Sequence, residues 1–187
     1  MSRKTTPMLA VTVFAVLLLA VAPAFAAGSV FKTFNATASV AAKCVMSNIA
    51  NLDFGSYDPV VTNASADLPG NTSFTLTCTK NASPSIELSA GNSFGQNLAA
   101  KRSMTNGTAG PGNYLSYDLY VPSGAGNSST ATPTASLWGD GTSGTSPFAP
   151  SVPSVAAQTI TIFGAVTAGQ DVPVGSYSDS VTATVNF

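Results

Sequence analysis

The most regular pattern in the chain is its last one. Over residues 177–187, Val181, Ala183, Val185 and Phe187 alternate with Ser180, Thr182, Thr184 and Asn186. A period of two belongs to a strand with one buried and one wet face. The pattern therefore predicts a strand over 176–187 with those four apolar residues turned inward. The head of the chain carries a looser version. Val30, Phe34, Ala36, Ala38 and Val40 fall on one face, interrupted by Lys32, and Thr33, Asn35, Thr37 and Ser39 on the other. Periodicity leaves two readings of that stretch: an ordinary first strand, or a segment that leaves its own domain.

Between these ends, short runs rich in Val, Ile, Thr, Phe and Tyr are separated by clusters of Gly, Pro, Asn and Ser. No long segment after the leader has helical apolar spacing. The pattern is that of an all-β sandwich or barrel, with strands predicted over 30–42, 48–54, 73–79, 85–90, 114–121, 159–166 and 176–187. Residues 123–153 read as one loop, long for a compact domain, where connections usually run about 4–6 residues. Such a loop suits a binding surface or a variable outer face.

The first residues have another logic. Arg3 and Lys4 precede a run that is almost wholly apolar from Met8 to Val21, and Pro23 and Ala24-Phe25-Ala26 follow it. A positive start, an apolar stretch of about 15 residues and small residues at the cleavage positions define a secretory signal peptide, with cleavage predicted after Ala26. The run is shorter than the roughly 20 residues that span a bilayer. Residues 27–187 then form one exported domain. Export also assigns the cysteines. The chain has two, Cys44 and Cys78, and in an oxidising compartment they predict one structural disulfide.

Charge and chemistry narrow the function. Seven basic and eight acidic residues give a net charge of −1. Nucleic acid and anionic membranes select clustered Lys and Arg, so neither is a predicted partner. The chain has no histidine, which removes Ser-His-Asp and Cys-His catalysis and, with both cysteines committed, leaves no ligand set for a transition metal. Asp53 and Asp58 adjoin turn formers and read as turn caps rather than as a carboxylate pair. Asp140, between two glycines, reads as a tight turn rather than a calcium site. The single tryptophan, Trp138, fills a core gap or, on the alternative reading, stacks on a sugar. No enzyme activity, metal or cofactor is predicted.

Five elements taken together resemble a known family. They are Ile49-Ala-Asn-Leu-Asp-Phe-Gly-Ser-Tyr-Asp-Pro59, Phe74-Thr-Leu-Thr-Cys78-Thr79, Leu115-Ser-Tyr-Asp-Leu-Tyr120, Trp138-Gly-Asp-Gly141 and the ending Gly175-Ser-Tyr-Ser-Asp-Ser-Val-Thr-Ala-Thr-Val-Asn-Phe187. In this order they resemble the spore coat U domain, which archaic, Csu-type chaperone–usher pilins share. The resemblance implies an immunoglobulin-like β-sandwich that lacks its last strand. A periplasmic chaperone lends that strand first, and at the outer-membrane usher the N-terminal segment of a neighbouring subunit replaces it. Carried onto this chain, residues 27–40 are the donor strand, with Val30, Phe34, Ala36, Ala38 and Val40 as its inward side chains, and 41–187 the sandwich. Val181, Ala183, Val185 and Phe187 lie on the strand that walls the acceptor groove. Cys44 and Cys78 match the family's disulfide positions. The resemblance implies a shaft subunit of a surface pilus that supports adhesion or biofilm formation. The alternatives are a spore or cell-surface coat protein with the same domain, or a carbohydrate-binding adhesive domain using the 123–153 loop.

Overall fold

The computed structural model describes residues 28–124 and 131–187. The signal peptide predicted over 1–26, and positions 125–130 of the predicted loop, lie outside the described residues. The chain divides into two units, Met1–Ala38 and Ser39–Phe187. The described residues of the first form no strand and are all exposed, and residues 39–42 at the start of the second are likewise exposed and outside any strand. The strand expected there is not formed. Nothing in the alternation of residues 30–40 supplies a partner for its backbone, and a lone strand has none of the cross-strand bonds that hold a sheet.

The second unit is all-β, with no helix among the described residues. Its strands are β1 (Cys44–Met46), β2 (Leu68–Cys78), β3 (Ser85–Leu88), β4 (Arg102–Thr105), β5 (Tyr114–Pro122), β6 (Pro133–Leu137), β7 (Gln158–Val166) and β8 (Ala183–Asn186). The larger sheet has the order β1-β2-β7-β5-β4 with β6 also on β5, and the smaller is β3-β8. Every pairing is antiparallel. The inner faces meet in one cluster, in which Ile86 and Leu88 of β3 pack with Phe74, Leu76, Leu119, Ile160, Ile162 and Val166 of the larger sheet. The arrangement is an immunoglobulin-like sandwich.

β2 and β7 form the central ladder, with Phe74 opposite Ile160 and Thr72 opposite Ile162. Their alternation is strict where the strand is covered on one side only: Ile160, Ile162, Gly164 and Val166 are buried, and their neighbours less so. β5 departs from it. Leu115, Tyr117 and Leu119 face the core, yet Ser116 and Asp118 are buried as well, because residues 93–101 fold over the outer face. Leu98 N donates to Ser116 Oγ at 3.1 Å, and Lys101 pairs with Asp118. A strand covered on both faces loses its two-state pattern, so only its length was legible beforehand.

Two further departures concern the loop and the last strand. Residues 131–153 are not a featureless loop. They contain β6, and they send Trp138, Phe148 and Val152 into the core. Trp138 is wholly buried, with its ring edge-on to Phe148 at 5.4 Å, so it offers no face to a sugar. The strand expected over 176–187 is regular only over Ala183–Asn186; residue 178 makes a single bridge to Thr105 of β4. Val181, Ala183 and Val185 are half-buried, and Phe187 is 59 % exposed rather than inward. The cause is the sheet itself, since β8 pairs with β3 and, among the described residues, no strand flanks its other edge.

The disulfide joins Cys44 and Cys78, directly opposite in the β1–β2 ladder. Cys44→Ser with Cys78→Ser should cost about 3–4 kcal/mol in the chain-entropy account of a closed loop of this length. Urea unfolding of oxidised and variant chains under one condition measures it, and equal midpoints would refute it.

Candidate functional site: an open apolar groove

A groove of about 410 Å³ opens along the sandwich between residues 49–54 and residues 177–183. Its floor is formed by Leu88, Met104, Tyr117, Leu119 and Ile162. The first wall runs on from β1 beside β2. Ser47 N donates to Thr75 O at 2.9 Å, and Ala50 O accepts from Thr72 Oγ1 at 2.8 Å. Two glycines let this wall lie close. Gly70 and Gly164 are opposite each other; a Cβ on Gly70 would come within 2.8 Å of the Phe54 ring, and one on Gly164 within 3.1 Å of Leu52. The paired glycines form the trough into which Leu52 and Phe54 drop.

The second wall is pinned from its outer side. Ser178 exchanges backbone bonds of 2.9 and 3.0 Å with Thr105, and Thr182 O accepts from Ser89 N at 2.9 Å. Asp179 turns its carboxylate into the corner of the groove. Its Oδ1 accepts from the amides of Asn92 and Ser180, each at 2.8 Å, and its Oδ2 from Tyr117 Oη at 2.8 Å. Gly91, at φ 79°, leaves room for it, since a Cβ there would lie 2.0 Å from Oδ2. Burial raises the Tyr117 phenol far above its ordinary pKa, and the Asp179 charge and hydrogen bond push it the same way. The phenol stays protonated and donates to Asp179. No hydrogen bond among the described residues crosses from one wall to the other.

Chemically the groove offers an apolar floor between extended walls that also carry polar groups, among them Asn51, Thr72, Ser178 and Ser180. Among the described residues no group of three or more His, Cys, Asp or Glu side chains is placed to hold a metal. Asp58 and Asp53 act as turn caps. Asp58 Oδ1 accepts from Val60 N and Val61 N, bonds that hold its pKa below the usual carboxylate value, and Asp53 Oδ1 accepts from Gly55 N. Asp140 closes its turn onto Thr142.

Of the residues singled out from the sequence, Val181 and Ala183 line the groove, Val185 packs partly on the core, and Phe187 is exposed. Val30, Phe34, Ala36, Ala38 and Val40 are exposed, Phe34 by 89 %. The other wall was missed as a site. Ile49, Leu52 and Phe54 are not evenly spaced by two, and the pointer to them was the pair of glycines at 70 and 164, which meet only in the folded ladder.

Fold and groove together define an immunoglobulin-like β-sandwich with one side of its core left open between two strand-like walls. The chain belongs to the spore coat protein U domain family, whose profile matches residues 30–184. It is 36 % identical to Protein U of Myxococcus xanthus over 196 residues, covering all of both chains. It also shares its fold with a solved structure, the CsuC–CsuE chaperone–tip adhesion subunit pre-assembly complex from archaic chaperone–usher Csu pili of Acinetobacter baumannii, at a TM-score of 0.50 and 19 % identity. That match covers 79 % of this chain, which spans 40 % of the solved chain.

Proposed function

We propose that the protein is a structural subunit of a surface fibre of the chaperone–usher type, assembled by donor-strand complementation. The observation that carries the reading is the groove, with an apolar floor bounded by two walls that share no hydrogen bond with each other among the described residues. A sheet edge left unpaired beside exposed core side chains is a template for an added strand. Residues 27–40 are the donor and 41–187 the acceptor body, the leader over 1–26 being removed on export. An alternating apolar segment that is fully exposed supports this, because burying four or five such side chains is worth roughly 6–15 kcal/mol before ordering costs.

The partners follow from the open groove. A periplasmic chaperone fills it first, the outer-membrane usher hands the subunit on, and the arm of a neighbouring subunit completes it. The fibre then serves attachment or biofilm formation at the cell surface. A second reading, supported by the family's description and the full-length match to Protein U, is a coat built by the same exchange. Electron microscopy of cells expressing the gene with its operon separates thin fibres from a continuous layer.

The test is a deletion of residues 28–40 from the exported chain. The truncated chain should fail to form multimers with itself, yet cap the growing end of multimers made by the full chain, as read by light scattering of mixed samples. Multimers of undiminished length from the truncated chain alone would defeat the proposal.

A further inference from the structure

The groove is not uniform along its length, and neither is the segment proposed to fill it. The wall from Ile49 to Phe54 runs beside β2 from Thr72 toward Gly70. In the ladder these positions lead from Ile162 through Gly164 to Val166, the partner of Tyr117. One end of the groove is therefore aliphatic, lined by Ile49, Ile162 and Ala183. The other is already filled with rings. Phe54 meets Tyr117 edge-on at 5.8 Å, and Tyr177 lies in the same lining as Asp179. Ala183, the smallest side chain of the second wall, sits opposite Leu88 in the β3–β8 pairing.

We infer that Phe34 of a second copy of this chain is the side chain that fixes the register of the donated strand, seated at the aliphatic end beside Ala183, with Ala36 and Ala38 over the Phe54–Tyr117 pair. The inference rests on the donor-strand reading above and deepens it. Same-face side chains of a strand are about 6.6–7 Å apart, so Phe34 and Ala38 are separated by about 13 Å. A ring does not fit where rings already occupy the space, and two consecutive alanines leave voids at the end that holds no ring. Only one placement matches large to open and small to filled. It sets Val40 near Asp179 and makes the donated strand antiparallel to β8. Lys32 then falls one step beyond Ile49, where the strand leaves the groove, and this accounts for a charge on an otherwise apolar face. A slide of two residues toward the rings drives Phe34 against them and draws Lys32 inward; a slide the other way carries Phe34 out past Ile49 and leaves Ala36 at the aliphatic end.

A labelled peptide of residues 28–42, titrated into the full exported chain and followed by fluorescence anisotropy, tests both levels. The unsubstituted peptide should bind. Phe34→Ala should weaken it by about 100-fold, as expected for losing one fully buried ring, and Val40→Ala by less than about 10-fold. Ala38→Phe should abolish binding. In the chain itself, Ala183→Leu should exclude the unsubstituted peptide and restore the Phe34→Ala peptide, a result that also shows the variant to be folded. Binding of the unsubstituted peptide with equal loss from Phe34→Ala and Val40→Ala, or with Ala38→Phe tolerated, overturns the register and leaves the donor reading standing. No binding by any peptide overturns both.

Discussion

Replacing Trp138 by Ala should destabilise the sandwich by about 3–5 kcal/mol, the range for deleting a large ring from a packed core. The residue is wholly inaccessible and makes three contacts, of which the first two belong to its side chain. Its ring fills the space between the sheets and meets Phe148 edge-on. Its Nε1 donates to Ile86 O at 2.8 Å, tying β6's end to β3 in the other sheet. Its backbone N donates to Leu119 O at 2.8 Å, extending the β5–β6 pairing past Leu137. Trp138→Phe separates these effects. It keeps most of the volume and loses the indole bond, while Ile86 O still accepts from Phe148 N at 2.9 Å. The expected cost is about 1–2 kcal/mol, that of one lost bond and a small void. Urea unfolding of the three chains in the same assembly state gives the ordering. A Trp138→Ala midpoint within error of the parent would show that the ring is dispensable.

Arg102→Met should cost a similar amount, about 3–5 kcal/mol, for an electrostatic reason. Arg102 lies on β4 and is buried. Its Nε donates to Ser89 O at 2.9 Å, and its Nη2 to Trp138 O at 2.8 Å and Leu88 O at 3.3 Å. Burial lowers the guanidinium pKa, and Tyr117, Asp118, Asp179 and Asp140 act against that. Among the described residues no carboxylate is close enough to form an ion pair with it. The charge is instead held by carbonyl dipoles from three chain positions in both sheets. Methionine fills the stem's volume but strands those carbonyls in a dry interior, and each unsatisfied acceptor costs about 1–3 kcal/mol. Arg102→Lys should recover little, because one ammonium cannot span a fork of carbonyls that the planar guanidinium matches. Equal stability of the Met variant and the parent would show that the bonds merely offset the cost of burying the charge.

The sandwich was legible in the sequence wherever one face of a strand is dry and the other wet. β7 and the Ala183–Asn186 part of the last strand were visible for that reason. β4 was not, since Arg102 and Ser103 are polar residues whose burial is satisfied by carbonyls and hydroxyls that only the fold assembles. β6 was hidden among Pro, Thr and Ser at a sheet edge, and β1 by its length of three residues. The alternation of the C-terminal segment gave a strand with one inward face, and only the family resemblance placed that strand on a groove wall. The opposite wall and the floor depend on which residues the ladder sets opposite each other, as with Gly70 and Gly164, and no local pattern records that. Phe187 shows the limit from the other side. Its period matches an inward position, but a side chain is buried only when something stands across from it.

The place of the Cys44–Cys78 bond has a mechanical consequence. A pull on the chain ahead of Lys43 meets first the hydrogen bonds that Ala41 and Lys43 make with Thr79, and next, at Cys44, a sulfur bridge that passes the load straight to the end of β2. The three-residue strand that carries Cys44 would otherwise peel away one hydrogen bond at a time. With the crosslink at its first residue, a load has to shear the long ladder that joins β2 to β7, in which many bonds yield together. Reduction should therefore lower rupture force far more than it lowers the melting point.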